Sequence, residues 1–172
     1  KFLENLIAFS EKESAPSISS SSLANDNSYI DLTISEAIYN TNGGSGALET
    51  SDFALTFAQN SGNTTNVTIS SIKKNDNIAE ASATALSGGE TVIRIFLNIT
   101  GTPSGVETIT ITPLNGTSIY NGNGGSMAAS ETTGAIALND NLKPIITGVT
   151  LSADNTTLAV TMSEAVFNAN GG

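Results

Sequence analysis

Apolar and polar residues alternate along several short stretches of the chain. Ile30, Leu32 and Ile34 are separated by Asp31 and Thr33, and the same period of two recurs further along. Neighbouring side chains of an extended strand point to opposite faces, so one face of each stretch can meet a core while the other meets water. Five more stretches share the pattern: residues 53–57, 67–69, 93–99, 109–111 and 136–138. The alternation predicts about seven or eight short antiparallel strands.

Clusters of Asn, Ser, Thr and Gly separate these stretches. Such residues suit tight turns, because Gly adopts left-handed backbone conformations and Asn hydrogen-bonds to its own backbone. The clusters cover residues 40–46, 60–63, 87–89, 102–105 and 121–125. No stretch has the period of an amphipathic helix. The predicted fold is all-β: an immunoglobulin-like antiparallel β-sandwich with Greek-key connections.

An internal repeat is the most informative feature of the sequence. Residues 16–44 align with residues 144–172 without a gap, at an offset of 128 positions. Of the 29 aligned positions 13 are identical: Pro16, Ile18, Leu23, Asp26, Asn27, Thr33, Ser35, Glu36, Ala37, Asn40, Asn42, Gly43 and Gly44. Self-similarity at a fixed spacing is typical of tandem-repeat proteins.

The repeat predicts three segments. Residues 1–15 are the end of a preceding unit or a linker, residues 16–143 form a complete repeat, and residues 144–172 are the first two strands of the next, incomplete repeat. Two strands cannot bury an apolar face by themselves. We therefore expect the last segment to be disordered, swapped with a neighbour, or completed by residues outside this sequence.

Composition narrows the class of protein. Charged residues make up 13% of the chain, about half the usual share of roughly 25%. The formal net charge is −10, and the six basic residues form no patch, which argues against nucleic acid and anionic membrane surfaces as partners. No apolar run approaches the ~20 residues of a membrane helix, so we expect no membrane insertion. The absence of Cys favours a bacterial exported protein, located outside the cell or at its surface.

The sequence also lacks the groups of common catalytic sites. It contains no His and no Cys, which excludes Ser-His-Asp and Cys-His catalysis. Residues 42–46 are rich in Gly but join two predicted strands, whereas a phosphate-binding loop precedes a helix. The carboxylates are scattered among turns. We predict that the protein is not an enzyme.

Three short motifs resemble bacterial immunoglobulin-like, cadherin-like tandem repeats of large surface adhesins. They are DNLKP at residues 140–144, LTISEA at residues 32–37 (LAVTMSEA at 158–165) and SDFAL at residues 51–55. Repeats of this family open with an Asp/Asn-rich linker and a Pro, followed by strands with similar motifs. The resemblance implies a non-catalytic module of a stalk or adhesin.

Calcium is the cofactor that the residue types favour. Ca²⁺ takes 6–8 oxygen ligands from carboxylates, amides and carbonyls. Glu36 recurs as Glu164 at the end of a strand, and an Asn-Asp-Asn run lies in the linker. The candidate ligands are Glu36, Asp52, Asn139, Asp140, Asn141 and Glu164. The alternative is that Ser-Glu-Ala marks a β-bulge or strand end and that Asn-Asp-Asn is turn chemistry.

Two functions remain after these exclusions. The first is an adhesin stalk or spacer, whose partners are neighbouring repeats and a surface glycan or protein receptor. The alternative is a carbohydrate-binding or accessory module of a secreted polysaccharide-active enzyme, which would need exposed aromatic side chains. The chain has no Trp and three tyrosines, Tyr29, Tyr39 and Tyr120. Asp26 and Asn27 recur as Asp154 and Asn155, and a hairpin turn is the favoured interpretation of both pairs.

Overall fold

The alternating stretches form antiparallel strands in a computed structural model, which describes residues 14–168. The chain divides between Asp140 and Asn141 into two compact units, called unit 1 and unit 2. Residues 1–13 and 169–172, on which two of the expectations above fall in part, lie outside the described residues.

The described part of unit 1, residues 14–140, contains eight strands and two single-turn 3-10 helices. The helices are Thr50–Asp52 and Glu80–Ser82. The strands are β1 (Ile18–Leu23), β2 (Tyr29–Tyr39), β3 (Phe53–Ala58), β4 (Asn66–Lys73), β5 (Glu90–Thr100), β6 (Thr108–Pro113), β7 (Tyr120–Asn121) and β8 (Ile136–Ala137). Every stretch that alternates in the sequence lies in or overlaps one of these strands.

The strands of unit 1 form two sheets packed as a sandwich. Sheet 1 has the order β1-β2-β5-β4, with β7 also paired to β2, and sheet 2 has the order β3-β6-β8. Ile30, Leu32 and Ile95 of sheet 1 pack with Ile111 of sheet 2 in one buried cluster. The predicted antiparallel β-sandwich is confirmed. Apart from the additional strand β7, the strand orders match A-B-E-D and C-F-G of a constant-type immunoglobulin domain.

Strand β2 changes partner along its length. It pairs with β1 up to Ile34 and with β7 from Ile38 onward, and its register with β5 shifts between Thr33 and Ile38. The extra residues form a bulge, which is how a strand bends away from one partner toward another. Glu36 lies in this bulge.

One expectation about β5 is wrong. The alternation places Arg94 and Phe96 on the solvent face of the strand, but both are buried. Residues 74–89, which connect β4 to β5, fold back over this outer face, and the Asn77 carbonyl accepts a hydrogen bond of 2.8 Å from Arg94 Nη1. The connection is itself fixed, since the Ser71 hydroxyl of β4 donates to the Glu80 carboxylate.

In unit 2, residues 141–168 are described and form one hairpin, β9 (Ile146–Leu151) and β10 (Leu158–Met162). Leu151 lies opposite Leu158, just as Leu23 lies opposite Ile30 in unit 1. Every further pair between the two strands also recurs 128 positions later, including the irregularity near the open end of the hairpin.

The turns of the two hairpins match as well. Asn27 has φ of 63° and Asn155 has φ of 59°, a left-handed conformation that Asn tolerates. The N–H of Asn27 donates to the Ala24 carbonyl, and the N–H of Asn155 donates to Ser152 at the same 2.9 Å. Both Asp-Asn pairs therefore lie in hairpin turns.

Candidate metal ligands at the two ends of unit 1

The candidate ligands of unit 1 lie at different ends of the sandwich. Asn139 contacts Asn27 at the β1–β2 turn, whereas Glu36 lies near the far end of β2. At about 3.3 Å per residue, these points are roughly 25 Å apart. We call the two ends of unit 1 the Asn27 end and the Glu36 end. Glu36 and Asn139 therefore cannot bind one ion within unit 1.

At the Glu36 end, a polar cluster surrounds the segment that leads into β1. The Asn121 side-chain amide donates to Glu36 Oε2 at 3.1 Å and to the Ser14 carbonyl at 3.0 Å. The Asn121 amide oxygen in turn accepts from the N–H groups of Asn123 and Gly125. Asn121 is buried and joins β7, the bulge of β2 and the incoming chain.

Two oxygen atoms near this end lack partners. Glu36 Oε1 and Asn40 Oδ1 are buried, and neither has a hydrogen-bond partner among residues 14–168. A buried acceptor left unpaired costs about 1–3 kcal/mol, more when it is charged. Oxygen atoms of carboxylates and amides are ligands that Ca²⁺ takes. The donor chemistry at Glu36 therefore fits a hard cation.

At the Asn27 end, Asn27 fixes the chain where it leaves β8. Its buried side-chain amide donates to the Asn139 carbonyl at 2.9 Å and accepts from the Asn139 N–H at 2.8 Å. The Asn139 side chain donates to the Ala24 carbonyl at 2.9 Å. These hydrogen bonds tie the chain after β8 to the β1–β2 turn, and we call the pair Asn27 and Asn139 the clamp. Asp140 follows Asn139 and lies beside Gly105.

Glu107 is a buried carboxylate at the Asn27 end that the sequence did not single out. Burial alone would raise the pKa of Glu107, but the N–H groups of Thr64 and Ser104 donate to the carboxylate and lower the pKa to about 2. The Ser104 hydroxyl is a third donor. A single Glu before a strand carries no sequence signal that separates this role from that of a surface residue.

The other candidate ligands occupy separate local environments. The Asp52 carboxylate accepts a hydrogen bond of 2.8 Å from the Glu49 N–H in a capping turn, and burial raises the pKa of Asp52. Asn141 and Glu164 belong to unit 2. Glu164 follows Ser163, whose hydroxyl accepts from the Ile145 N–H as Ser35 accepts from Ser17 in unit 1.

Residues 14–168 contain no group of three or more His, Cys, Asp or Glu side chains placed to hold a metal ion. Any cation at the Glu36 end would therefore depend on neutral amide and carbonyl oxygens beside one carboxylate. In the same range, no helix has the length and hydropathy required to cross a membrane.

Arg94 and Asp31 form an ion pair on the outer face of sheet 1. The guanidinium donates from Nε and Nη2 to the two carboxylate oxygens at 2.8 and 2.7 Å, and its centre lies 3.7 Å from the centre of the Tyr29 ring. Asp31 and Arg94 are direct cross-strand neighbours. The pairing of β2 with β5, on which this contact depends, was not predictable from either strand alone.

Comparison with protein-family models, curated proteins and solved structures returns no match to this chain. The class that the fold defines is an antiparallel β-sandwich with an appended hairpin.

Proposed function

We propose that this chain is a non-catalytic immunoglobulin-like repeat of a long cell-surface or secreted bacterial protein, acting as an adhesin stalk or spacer. The main support for this proposal is that one hairpin recurs 128 positions later in the chain. Identical residues, strand register and turn conformation all coincide at that single offset. Repeats that contact only their neighbours form quasi-one-dimensional arrays, which supply length.

The path of the chain through unit 1 supports a spacer. The polypeptide reaches β1 from Ser14 at the Glu36 end, and it leaves after Asn139 at the Asn27 end. Units with termini at opposite ends join end to end, so the length of an array grows with each unit. The lack of His and Cys in the sequence supports a role without catalysis.

The calcium part of the proposal concerns the joint between repeats. Glu36 would hold the ion through Oε1, close to the Ser14 carbonyl of the incoming segment. Glu164 has the equivalent position beside the segment that leads into β9. An ion there would fix the incoming chain to the bulge of β2 and stiffen the joint.

Length provides the test of the spacer. Proteins carrying one, two and three copies of residues 16–143 should show maximum dimensions in small-angle X-ray scattering that rise in equal steps. A folded two-copy protein no longer than the single copy would contradict an extended array.

Thermal unfolding in Ca²⁺ and in EGTA tests the metal. Binding to the folded form alone stabilises by about 2.7 kcal/mol at 100 times the Kd, so Ca²⁺ should raise the Tm. Glu36→Gln should abolish the rise, whereas Glu49→Gln, which removes the same charge elsewhere, should retain it. An unchanged Tm of the parent protein would exclude the calcium site and would leave the proposed spacer function unaffected.

A further inference from the structure

A cleft lies on the outer face of sheet 1, beside the β1–β2 turn. It is a shallow depression, open to solvent, with a volume of about 370 Å³. The residues that line it are Ala24, Asn25, Asp26, Ser28, Tyr29 and Ile78. We call it the Tyr29 cleft. It combines the apolar surface of Ala24, Tyr29 and Ile78 with a polar turn, so both kinds of contact are available to one ligand.

Ile78 is an exposed apolar side chain that neighbouring hydrogen bonds hold in place. It is 72% exposed, although burying an Ile would contribute about 1.5–3 kcal/mol. The residue before it is fixed twice: the Asn77 carbonyl accepts from Arg94, and the Asn77 side chain accepts from the Ala79 N–H at 3.0 Å. The backbone therefore presents Ile78 to solvent at a defined place.

Tyr29 is held just as firmly. The Arg94 guanidinium lies over its ring, and the Phe96 ring meets it edge-on with centroids 5.9 Å apart. At the corresponding position of the second hairpin the residue is Thr157, and the register is the same. The hairpin therefore does not require an aromatic ring at this position.

The polar side of the cleft consists of acceptors and donors suited to hydroxyl groups. The Ser28 hydroxyl and N–H donate to Asp26 Oδ1 at 2.6 and 3.0 Å and lower the pKa of Asp26, so this carboxylate is ionised at neutral pH. An ionised carboxylate accepts hydrogen bonds through both oxygens, and the exposed amide of Asn25 can donate and accept.

We propose that the Tyr29 cleft binds a neutral saccharide. A pyranose ring has C–H groups that can pack against Ile78 and against the part of Tyr29 that lines the cleft, and hydroxyl groups at its edge that reach Asp26 and Asn25. Anionic ligands are disfavoured, since Asp26 lies in the cleft and the chain carries a net charge of −10. The proposal does not depend on the spacer function, because every lining residue belongs to unit 1.

The test is an NMR titration of the ¹⁵N-labelled 172-residue protein with neutral gluco-, manno-, galacto- and N-acetylglucosamine oligosaccharides. Concentrations up to about 20 mM would nearly saturate a site with a Kd of about 1 mM. At least one series should cause saturable shifts at the amides of Asn25–Tyr29 and Ile78. Ile78→Ser and Asp26→Ala should each weaken binding at least about tenfold, or about 1.4 kcal/mol.

Leu114→Ser is the matched control, because Leu114 is also exposed, at 55%, and lies outside the cleft. It should bind as the parent does. Three results would overturn the proposal: no saturable shift with any series, shifts confined to other amides, or equal affinity of the parent and Ile78→Ser. Unchanged shifts of core amides in each variant establish that it is folded.

Discussion

The two hairpins of this chain have the same backbone pairing but opposite surroundings. Ile30 of β2 is fully buried, whereas Leu158, its counterpart in β10, is 59% exposed. Both hairpins have a left-handed Asn in the turn and the same cross-strand pairs. Local sequence thus determines register and turn, while burial depends on strands that come from elsewhere in the chain. A lone hairpin is marginally stable in water, so the second hairpin needs such strands.

Replacing matched apolar residues of the two hairpins by Ala should give the largest difference in the free energy of unfolding of unit 1. Ile30→Ala leaves a cavity inside the sandwich and should cost about 4 kcal/mol of the free energy of unfolding of unit 1. Leu158→Ala removes exposed atoms and should change it by less than about 0.5 kcal/mol. Urea denaturation of the 172-residue chain measures both. Equal effects would show that the β9–β10 hairpin also contributes to the stability of unit 1.

Protonation of Glu107 in unit 1 and of Asp154 in unit 2 should affect the stability of the two units differently. The pKa of each carboxylate is about 2: the Glu107 pKa reflects burial outweighed by backbone donors, and the Asp154 pKa reflects donation from Ser152 and Thr156. Both values are depressed, so the stabilisation is present above the unfolded pKa, near 4, and is lost as the pH falls toward 2. Protonation of Glu107 should destabilise the whole of unit 1, and protonation of exposed Asp154 should loosen only the β9–β10 turn.

Glu107→Ala tests this assignment. It leaves the N–H groups of Thr64 and Ser104 without their acceptor and should cost unit 1 about 3 kcal/mol at pH 7. The free energy of unfolding of the variant should also fall less steeply between pH 4.5 and pH 2. The same slope in parent and variant would mean that another group causes the acid response.

Substitution of the two turn asparagines should give the smallest difference in stability between the hairpins. Glycine adopts positive φ readily, so Asn→Gly preserves the turn and removes only the side-chain bonds. Asn27→Gly breaks the clamp to Asn139 and should cost about 2 kcal/mol. Asn155→Gly should leave unit 1 unchanged. Hydrogen exchange of the Leu138 and Asn139 amides should accelerate in the first variant alone; slow exchange there would contradict the clamp.

The sequence predicted those parts of the fold that depend on near neighbours. Alternation located β2, β3, β5 and β6, and the Asp-Asn pairs located the two hairpin turns, because side-chain direction and turn preference are local properties. The repeat predicted that residues 144–172 are the first two strands of a next unit, and the structure has a hairpin at residues 146–162 with the register of β1 and β2.

The features of the fold that the sequence did not predict depend on long-range contacts. The bulge at Glu36 arises where β2 exchanges β1 for β7, and two-residue β7 lies in a stretch that reads as a turn. Arg94 and Phe96 are buried because residues 74–89 cover the outer face of sheet 1. The alternation of residues within the strands does not indicate where this connection lies. Asn121, which donates to Glu36, and Thr64, which donates to Glu107, likewise come from distant segments.

An exchange of hairpins tests the central claim, that residues 144–172 are the opening hairpin of another copy of unit 1. The chimera replaces residues 16–44 of unit 1 with residues 144–172 but keeps Tyr29 and Asp31, because both contact buried Arg94. Core replacements such as Ile30 by Leu and Leu32 by Val each cost less than about 1.5 kcal/mol. The account predicts cooperative urea unfolding, with the cross-strand contacts of unit 1 restored in NMR spectra. A chimera with no cooperative transition, when the parent unit unfolds cooperatively, would contradict it.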